Sequence, residues 1–429
     1  MQNKEYLKHA TIYQVYPRNH TPEGTFQALI KDLERIKALD VDILYLLPIH
    51  PLGEKSRKGT LGSPYAIKDY YAINPEHGSL ADFKALIRAA HELELKVMID
   101  IVLHHTSPDA VLLKEHPEFY FLINDELGNK VGDWSDIIDL DYRNRALWDY
   151  MLKMLTYWAE LGVDGFRADV APMIPLEFWR YVRMNLDQKF PHLIWLSESV
   201  EPGFISFLKE HGHIGHTDLE MYEAFDVLYD YDIYPDLKAY LEGKKPLSVY
   251  VKGAKRQEKI YPEGYLKIRT IENHDTARIA ALCENDTQLR NVTAWSFFQN
   301  GVGFLYAGQE VKATHRPTLF DQDTINLKVD DPQFYKFIEK LVNLKRDELF
   351  SEYDIYRILN DGTDNTIMAV RVAETAAMYG FFNFAKEKAI FNVPLDDGLY
   401  RNLLGGEVVV YNGKLKRSEP TIILIELIS

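Results

Sequence analysis

Carboxylates, imidazoles and one guanidinium recur at one kind of position in this sequence, at or near the end of a short apolar run. KVMIDIVL carries Asp100 and is followed by His104 and His105. GFRADV contains Arg167 and Asp169, WLSES brings Glu198, and TIENHD brings Glu272, Asn273, His274 and Asp275. Asp169, Glu198 and Asp275 thus come from separate runs. Two carboxyl groups flanking an acetal are what glycoside hydrolysis requires: one protonates the departing oxygen, and the other attacks the anomeric carbon or activates water. Like charges brought together raise at least one pKa and keep an acid protonated near neutral pH. Arg167 stands two residues before Asp169, on the same side of an extended strand, and is expected to hold Asp169 ionised. The structural alternative is an ion-pair network closing the end of a barrel.

Such groups need elements that bring distant runs together. Short apolar runs alternate with helical periodicity, the pattern of repeated β-α units. Strands are expected at residues 11–17, 42–48, 96–103, 163–169, 193–199, 224–228, 266–272 and 303–306, the sixth being the weakest signal. Helices are expected at 25–39, 80–93, 145–161, 176–187, 289–298 and 333–348, with Ser79 capping the second and Asp82 in its first turn. Eight such units over ~350 residues predict a TIM (β/α)8 barrel with reactive groups at the C-terminal ends of its strands. A doubly wound sheet would advertise an early Gly-rich phosphate loop, and no GxGxxG or GxxxxGK occurs. The rhythm breaks between His105 and Asp139, a stretch too long for an ordinary βα loop and expected as a short inserted subdomain after strand three. From residue 351 apolar or alternating runs at 366–372, 377–384, 408–411 and 421–427 are separated by turns such as Asp361-Gly362 and Asn412-Gly413, which predicts a C-terminal antiparallel β domain. The expected division is a barrel at 1–104 and 140–350, the insertion at 105–139 and a β-sandwich at 351–429.

Composition narrows the partners. Lys plus Arg is 49 against 64 Asp plus Glu, a net charge of −15, which repels nucleic-acid phosphates. The single cysteine, Cys283, excludes an intramolecular disulfide and any multi-cysteine metal site, and its apolar surroundings point to a packed thiol. No apolar run is long enough for a membrane span or a signal peptide, so a cytoplasmic location is expected if Met1 is the native start. His211, His213 and His216 lie in a Gly-rich stretch without carboxylate or cysteine partners at ligand spacing, which points to a solvated loop rather than a metal site.

The same residues resemble the α-amylase family, glycoside hydrolase family 13. DIVLHH at residues 100–105 is similar to that family's D-x-V-x-N-H, GFRADVAPM at 165–173 to its G-x-R-x-D, and SES around Glu198 and TIENHD at 270–275 to its third and fourth regions. IYQVYPR, SPYAIKDYYAINPEHGS, IIDLDY and YAGQE add to the likeness. The resemblance implies Asp169 as nucleophile, Glu198 as general acid and then base, and Asp275 as the third carboxylate that stabilises an oxocarbenium-like transition state. It further implies that Arg167 orients Asp169, that His105 and His274 bond sugar hydroxyls, and that Tyr65 stacks on the ring being cleaved. Asp100 is expected to support this shell.

The implied activity is retaining hydrolysis of α-1,4 bonds in α-glucans or malto-oligosaccharides. Glycosyl transfer, or α-1,6, sucrose or trehalose chemistry, is the alternative, and a non-catalytic interaction protein a further one. Related α-glucosidases often carry an acid before the stacking aromatic; Gly62 and Ser63 supply none, which favours an open site. Calcium is not expected at the usual family site, and no cofactor is: His104 replaces the asparagine ligand, and Met173 stands where a histidine supplies a carbonyl. Asp125, Asp133 and Asp136 remain as candidate ligands, read as exposed loop charges. Pro172 and Met173 remove a polar contact on the leaving-group side, which favours short substrates.

Overall fold

A computed structural model describes residues 3–131, 134–385 and 387–427. The chain divides into two compact units, one built mainly from Ile12–Tyr229 with Pro317–Asn326, the other from Glu5–Thr11, Asp230–Arg316 and Leu327–Ser429.

In the first unit, six parallel strands pair in chain order: β1 (Thr11–Val15), β2 (Ile43–Leu46), β3 (Lys96–Ile101), β4 (Gly165–Ala168), β5 (Ile194–Ser197) and β6 (Val227–Leu228). Nearly every strand residue is buried, as expected of a parallel sheet covered on both faces. The helices between them form where apolar residues recur at helical spacing. Phe26–Lys37 buries Phe26, Leu29, Leu33 and Ile36. Leu80–Glu92 starts at Ser79, whose hydroxyl accepts from the Asp82 amide while the Asp82 carboxylate accepts from the Ser79 amide. Arg145–Glu160 and Leu176–Lys189 complete the alternation, and Leu122–Ile123 pairs with Glu126–Leu127 inside the segment expected as an insertion.

Register does the positioning. Asp100 lies opposite Arg167, and Ile101, Ala168 and Ser197 end their strands side by side. The ladder continues one step beyond: the Asp169 amide donates to Ile101 O at 2.9 Å, Glu198 to Ala168 O at 3.0 Å and Tyr229 to Ser197 O at 3.1 Å. Asp169 and Glu198 therefore leave neighbouring strands at one level.

The second unit contains the strand Gly303–Tyr306 and helices Leu247–Ile260, Asp286–Phe298 and Pro332–Leu344. The strand expected at 266–272 does not form. Only Lys267 and Ile268 form bridges there, Ile268 in parallel with Val302, and polar side chains take up the surrounding segment: Lys267 pairs with Asp232 at 3.2 Å and Arg269 with Asp230 at 3.1 Å. The C-terminal part has two four-stranded antiparallel sheets. One includes Thr366–Val372, Ala376–Asn383 and Thr421–Glu426, close to expectation. Ile355–Ile358, Ala389–Asn392, Gly398–Arg401 and Lys414–Arg417 are additional strands that the sequence pattern missed. Phe381 and Ile423 from one sheet pack with Phe391, Val408, Val410 and Leu415 from the other.

Gly301 permits the Ile268–Val302 bridge. Its φ is +129°, and a Cβ there would sit 2.1 Å from the Lys267 carbonyl oxygen. Gly301→Ala should therefore destabilise the protein by about 4 kcal/mol or more, the range of backbone-clash substitutions, measured by denaturant unfolding.

Candidate active site

Arg167 is the centre of the first unit's site. Its side chain is completely buried. Nη1 donates to both Asp100 oxygens, at 2.9 and 3.0 Å, and to Asp169 Oδ1 at 2.9 Å. Nη2 pairs with Glu198 Oε1 at 3.0 Å. Three carboxylates thus share one cation. Tyr45 and Tyr65 each donate a hydroxyl to Asp100 Oδ2, at 2.7 and 3.1 Å. The rings of Tyr65 and Tyr229 lie 5.7 and 5.3 Å from the guanidinium carbon. Asp100 is committed to holding Arg167, while Asp169 and Glu198 project beyond the strand ends.

The electrostatics depart from the expectation that Arg167 keeps Asp169 ionised. The contact is present, but burial and then the Glu198 carboxylate push the Asp169 carboxyl well above its ordinary range, and Arg167 only opposes this. One guanidinium does not neutralise three carboxylates in a buried space, so the Asp169 carboxyl stays raised beside Glu198.

Glu198 has a second anchor. The Val170 amide donates to Glu198 Oε2 at 2.8 Å. Val170 has φ 37° and ψ 40°, a left-handed backbone that a β-branched residue rarely adopts. The strain is held by packing of its side chain with Met173, Ile205 and Leu208, against which Val131, Trp134, Val200 and Phe204 also lie.

His105 is buried, bonds the Tyr65 backbone, and is lowered to about 4 by burial, so it is a neutral imidazole near pH 7. Its Nδ1 is 3.1 Å from His104 Nδ1, and its ring lies 5.7 Å from Trp134. His104 Nδ1 lies 3.6 Å from Asp139 Oδ1. His104, His105 and Asp139 have donor atoms within 4.8 Å of one another. Two nitrogens and one oxygen suit a transition ion better than calcium. Lys130 already approaches the same acid: its amide donates to Asp139 Oδ2 at 2.8 Å and its ammonium lies 3.5 Å away. Of the acids expected as exposed loop charges, Asp125 is exposed, and Asp133 lies outside the described residues. Asp136 departs from expectation: it is buried and paired with Lys58 at 2.7 Å, because an unpaired carboxylate could not stay ionised there.

In the second unit, His274 Nε2 lies 3.0 Å from Asp275 Oδ2, with His274 buried and the Asp275 side chain 46% exposed. Asn273 Oδ1 accepts from the Asp275 amide at 2.9 Å, and Arg316 donates to the Asp275 carbonyl at 2.6 Å. Glu272 is structural: Arg278 and the Ile279 amide, both at 2.6 Å, occupy its two oxygens. Burial pushes the Cys283 thiol up to about 12, consistent with a packed, unreactive sulfur. His216 accepts from the Leu176 amide at 3.2 Å and His211 lies over Phe207, so these two histidines make local packing contacts.

Sequence reasoning missed Tyr45, Tyr229 and the Val170 amide. The first carried a signal, a hydroxyl-bearing residue inside an apolar strand, which needs a buried partner.

The model of the α-amylase catalytic domain matches residues 11–126 and 130–354, and that of the bacterial α-amylase C-terminal domain matches 358–424. The chain belongs to the α-amylase family, glycoside hydrolase family 13. It is similar to the crystal structure of an α-amylase from Lactobacillus plantarum, with 43% identity and a TM-score of 0.93 over 98% of this chain and 100% of that one. It is also similar to a maltogenic α-amylase from Thermotoga neapolitana, with 34% identity and a TM-score of 0.87 over 98% and 100%. The fold of this family member is therefore the TIM barrel with a C-terminal antiparallel β domain. Among curated relatives, an α-1,4-glucan:maltose-1-phosphate maltosyltransferase from Picrophilus torridus is 33% identical over 216 residues, 46% of this chain and 34% of the relative. The chain spans about a third of the length of such relatives.

Removing one of the like charges tests this balance. Glu198→Gln should lower the Asp169 pKa, because the neighbouring negative charge is gone. The acidic limb of kcat/KM on an activated aryl glycoside should then move to lower pH, and the alkaline limb should flatten. A pH–rate series on both proteins measures this.

Proposed function

We propose that this protein is a retaining glycoside hydrolase that cleaves α-1,4 bonds of malto-oligosaccharides. The observation that carries the reading is the pairing of Asp169 and Glu198 with the two terminal nitrogens of one guanidinium. That sharing favours the ~5–5.5 Å separation of a nucleophile and an acid over the ~6.5–9.5 Å that admits a water. Asp169 attacks the anomeric carbon, and Glu198 protonates the leaving oxygen. Glu198 then takes a proton from the water that opens the glycosyl-enzyme. Asp275 steadies positive charge on the ring, Tyr65 stacks on the sugar, and His105 and His274 bond its hydroxyls. Arg167 spreads the negative charge that Asp169 carries while Glu198 holds the proton for the leaving oxygen. Gly62 and Ser63 place no acid before Tyr65, which supports an open site without strict exo action. The expected setting is cytoplasmic; among the described residues no helix is long and apolar enough to cross a membrane.

Glycosyl transfer is the second reading. The maltosyltransferase relatives suggest it. The reading also has no need of calcium. Lys130 supplies a positive charge to Asp139, and His104 offers nitrogen rather than oxygen.

Proton NMR early in maltoheptaose cleavage should show α-anomeric products first; a β-anomer removes Asp169 as nucleophile. Asp169→Asn should fold normally and lose turnover by about 10⁴-fold or more. Maltose-1-phosphate with a maltodextrin acceptor separates transfer from hydrolysis.

Dialysis against a chelator should leave the melting temperature and the rate within experimental scatter. A loss restored by calcium alone overturns metal independence.

A further inference from the structure

The second unit contains a cavity of about 520 Å³ that includes none of the residues assigned to the reaction. This lies within the usual ~300–1,000 Å³ of small-ligand sites. Two segments supply most of its lining, the turn after helix Leu247–Ile260 and the stretch leading into strand Ile355–Ile358. Tyr261 and Tyr265 come from the first, their ring centroids 5.2 Å apart. Tyr353 and Tyr356 come from the second, both over the buried guanidinium of Arg371, at 5.1 and 4.8 Å.

Polar groups are fixed between these rings. Glu258 accepts from the Tyr265 hydroxyl at 2.6 Å and from Asn300 at 3.3 Å, and burial raises its carboxyl above the ordinary range. Asn300 in turn accepts from Arg371 at 2.9 Å. Glu258 and Asn300 are therefore held by hydrogen bonds and the Tyr353 and Tyr356 rings by Arg371 rather than left mobile, which lowers the ordering cost of binding. Glu263 and Asp354 stand opposite in charge to Lys8 and Arg357 in the lining, so neither an anion nor a cation is favoured. The lining is too polar for a lipid. Tyrosine rings and hydroxyls beside fixed acceptors and donors, without a dominant charge, match a neutral polyol that shows C–H groups and a hydroxyl edge.

We propose that this cavity is a second binding site for α-glucan chains, built from residues other than those assigned to the reaction. The choice of glucan rests on the hydrolase reading above; the cavity's fit to a neutral sugar does not.

The test is calorimetric titration of the full chain carrying Asp169→Asn, which stops turnover, with maltoheptaose and with cellopentaose. Two maltoheptaose sites per chain are expected. Adding Tyr353→Ala, or Asp354→Trp to block the mouth from an exposed position, should leave one. In the otherwise unaltered enzyme the same two changes should keep kcat on a chromogenic maltotrioside within twofold and raise KM for soluble starch at least threefold. A single site in the parent, or two sites surviving both variants, overturns the proposal. Equal binding of cellopentaose overturns the α-glucan assignment. Failure to cleave the maltotrioside instead strikes the hydrolase reading, since stoichiometry is read without turnover.

Discussion

The guanidinium of Arg167 is the constraint around which the first unit's site is organised. It is fully buried and touches Asp100, Asp169 and Glu198, which come from strands that neighbour one another in register. Arginine suits this place because its fork offers several donors in one plane and it keeps its charge at any accessible pH. A lysine would supply the charge without spanning the carboxylates. Tyr45 and Tyr65 complete the shell by bonding Asp100, which leaves Asp169 and Glu198 as the acids beyond the strand ends that are proposed to face substrate.

Much of this was legible in the sequence because parallel strands are short, apolar and closed by polar residues. Residues 96–103 and 163–169 were readable as strands, so Asp100, Arg167 and Asp169 could be placed at one end of a sheet. Helix starts were equally readable where a cap announced them, as at Ser79. The illegible parts are those in which tertiary contacts decide. Residues 266–272 have the apolar pattern of a strand, yet Lys267 and Arg269 are drawn into buried pairs with Asp232 and Asp230, and the ladder shrinks to bridges at Lys267 and Ile268. Short C-terminal strands such as Lys414–Arg417, with exposed charges on one face, look like turn sequence until their partners are known.

Within the site, residue types were readable but the balance of charge was not. The spacing of Arg167 and Asp169 announces a contact, and the contact exists at 2.9 Å. It does not announce that Asp100 and Glu198 claim the same cation, which leaves Asp169 raised rather than lowered. Likewise Asp136 looks like a loop charge, and only the fold shows it buried against Lys58. Backbone features are the hardest to foresee: nothing in GFRADV signals that Val170 takes a left-handed conformation and turns its amide to Glu198.

The surplus of negative charge around Arg167 bears on how such a protein drifts. Because the Asp169 carboxyl is raised in the folded chain, folding takes up a proton across the interval between its ordinary and its raised pKa. Stability therefore falls as pH rises through that interval. An uncharged residue of the same shape at position 169 escapes that cost. Selection for heat resistance alone, with no demand for turnover, would thus favour lineages that have discarded the acid. Keeping an acid at position 169 beside Glu198 therefore costs stability that an amide there would return.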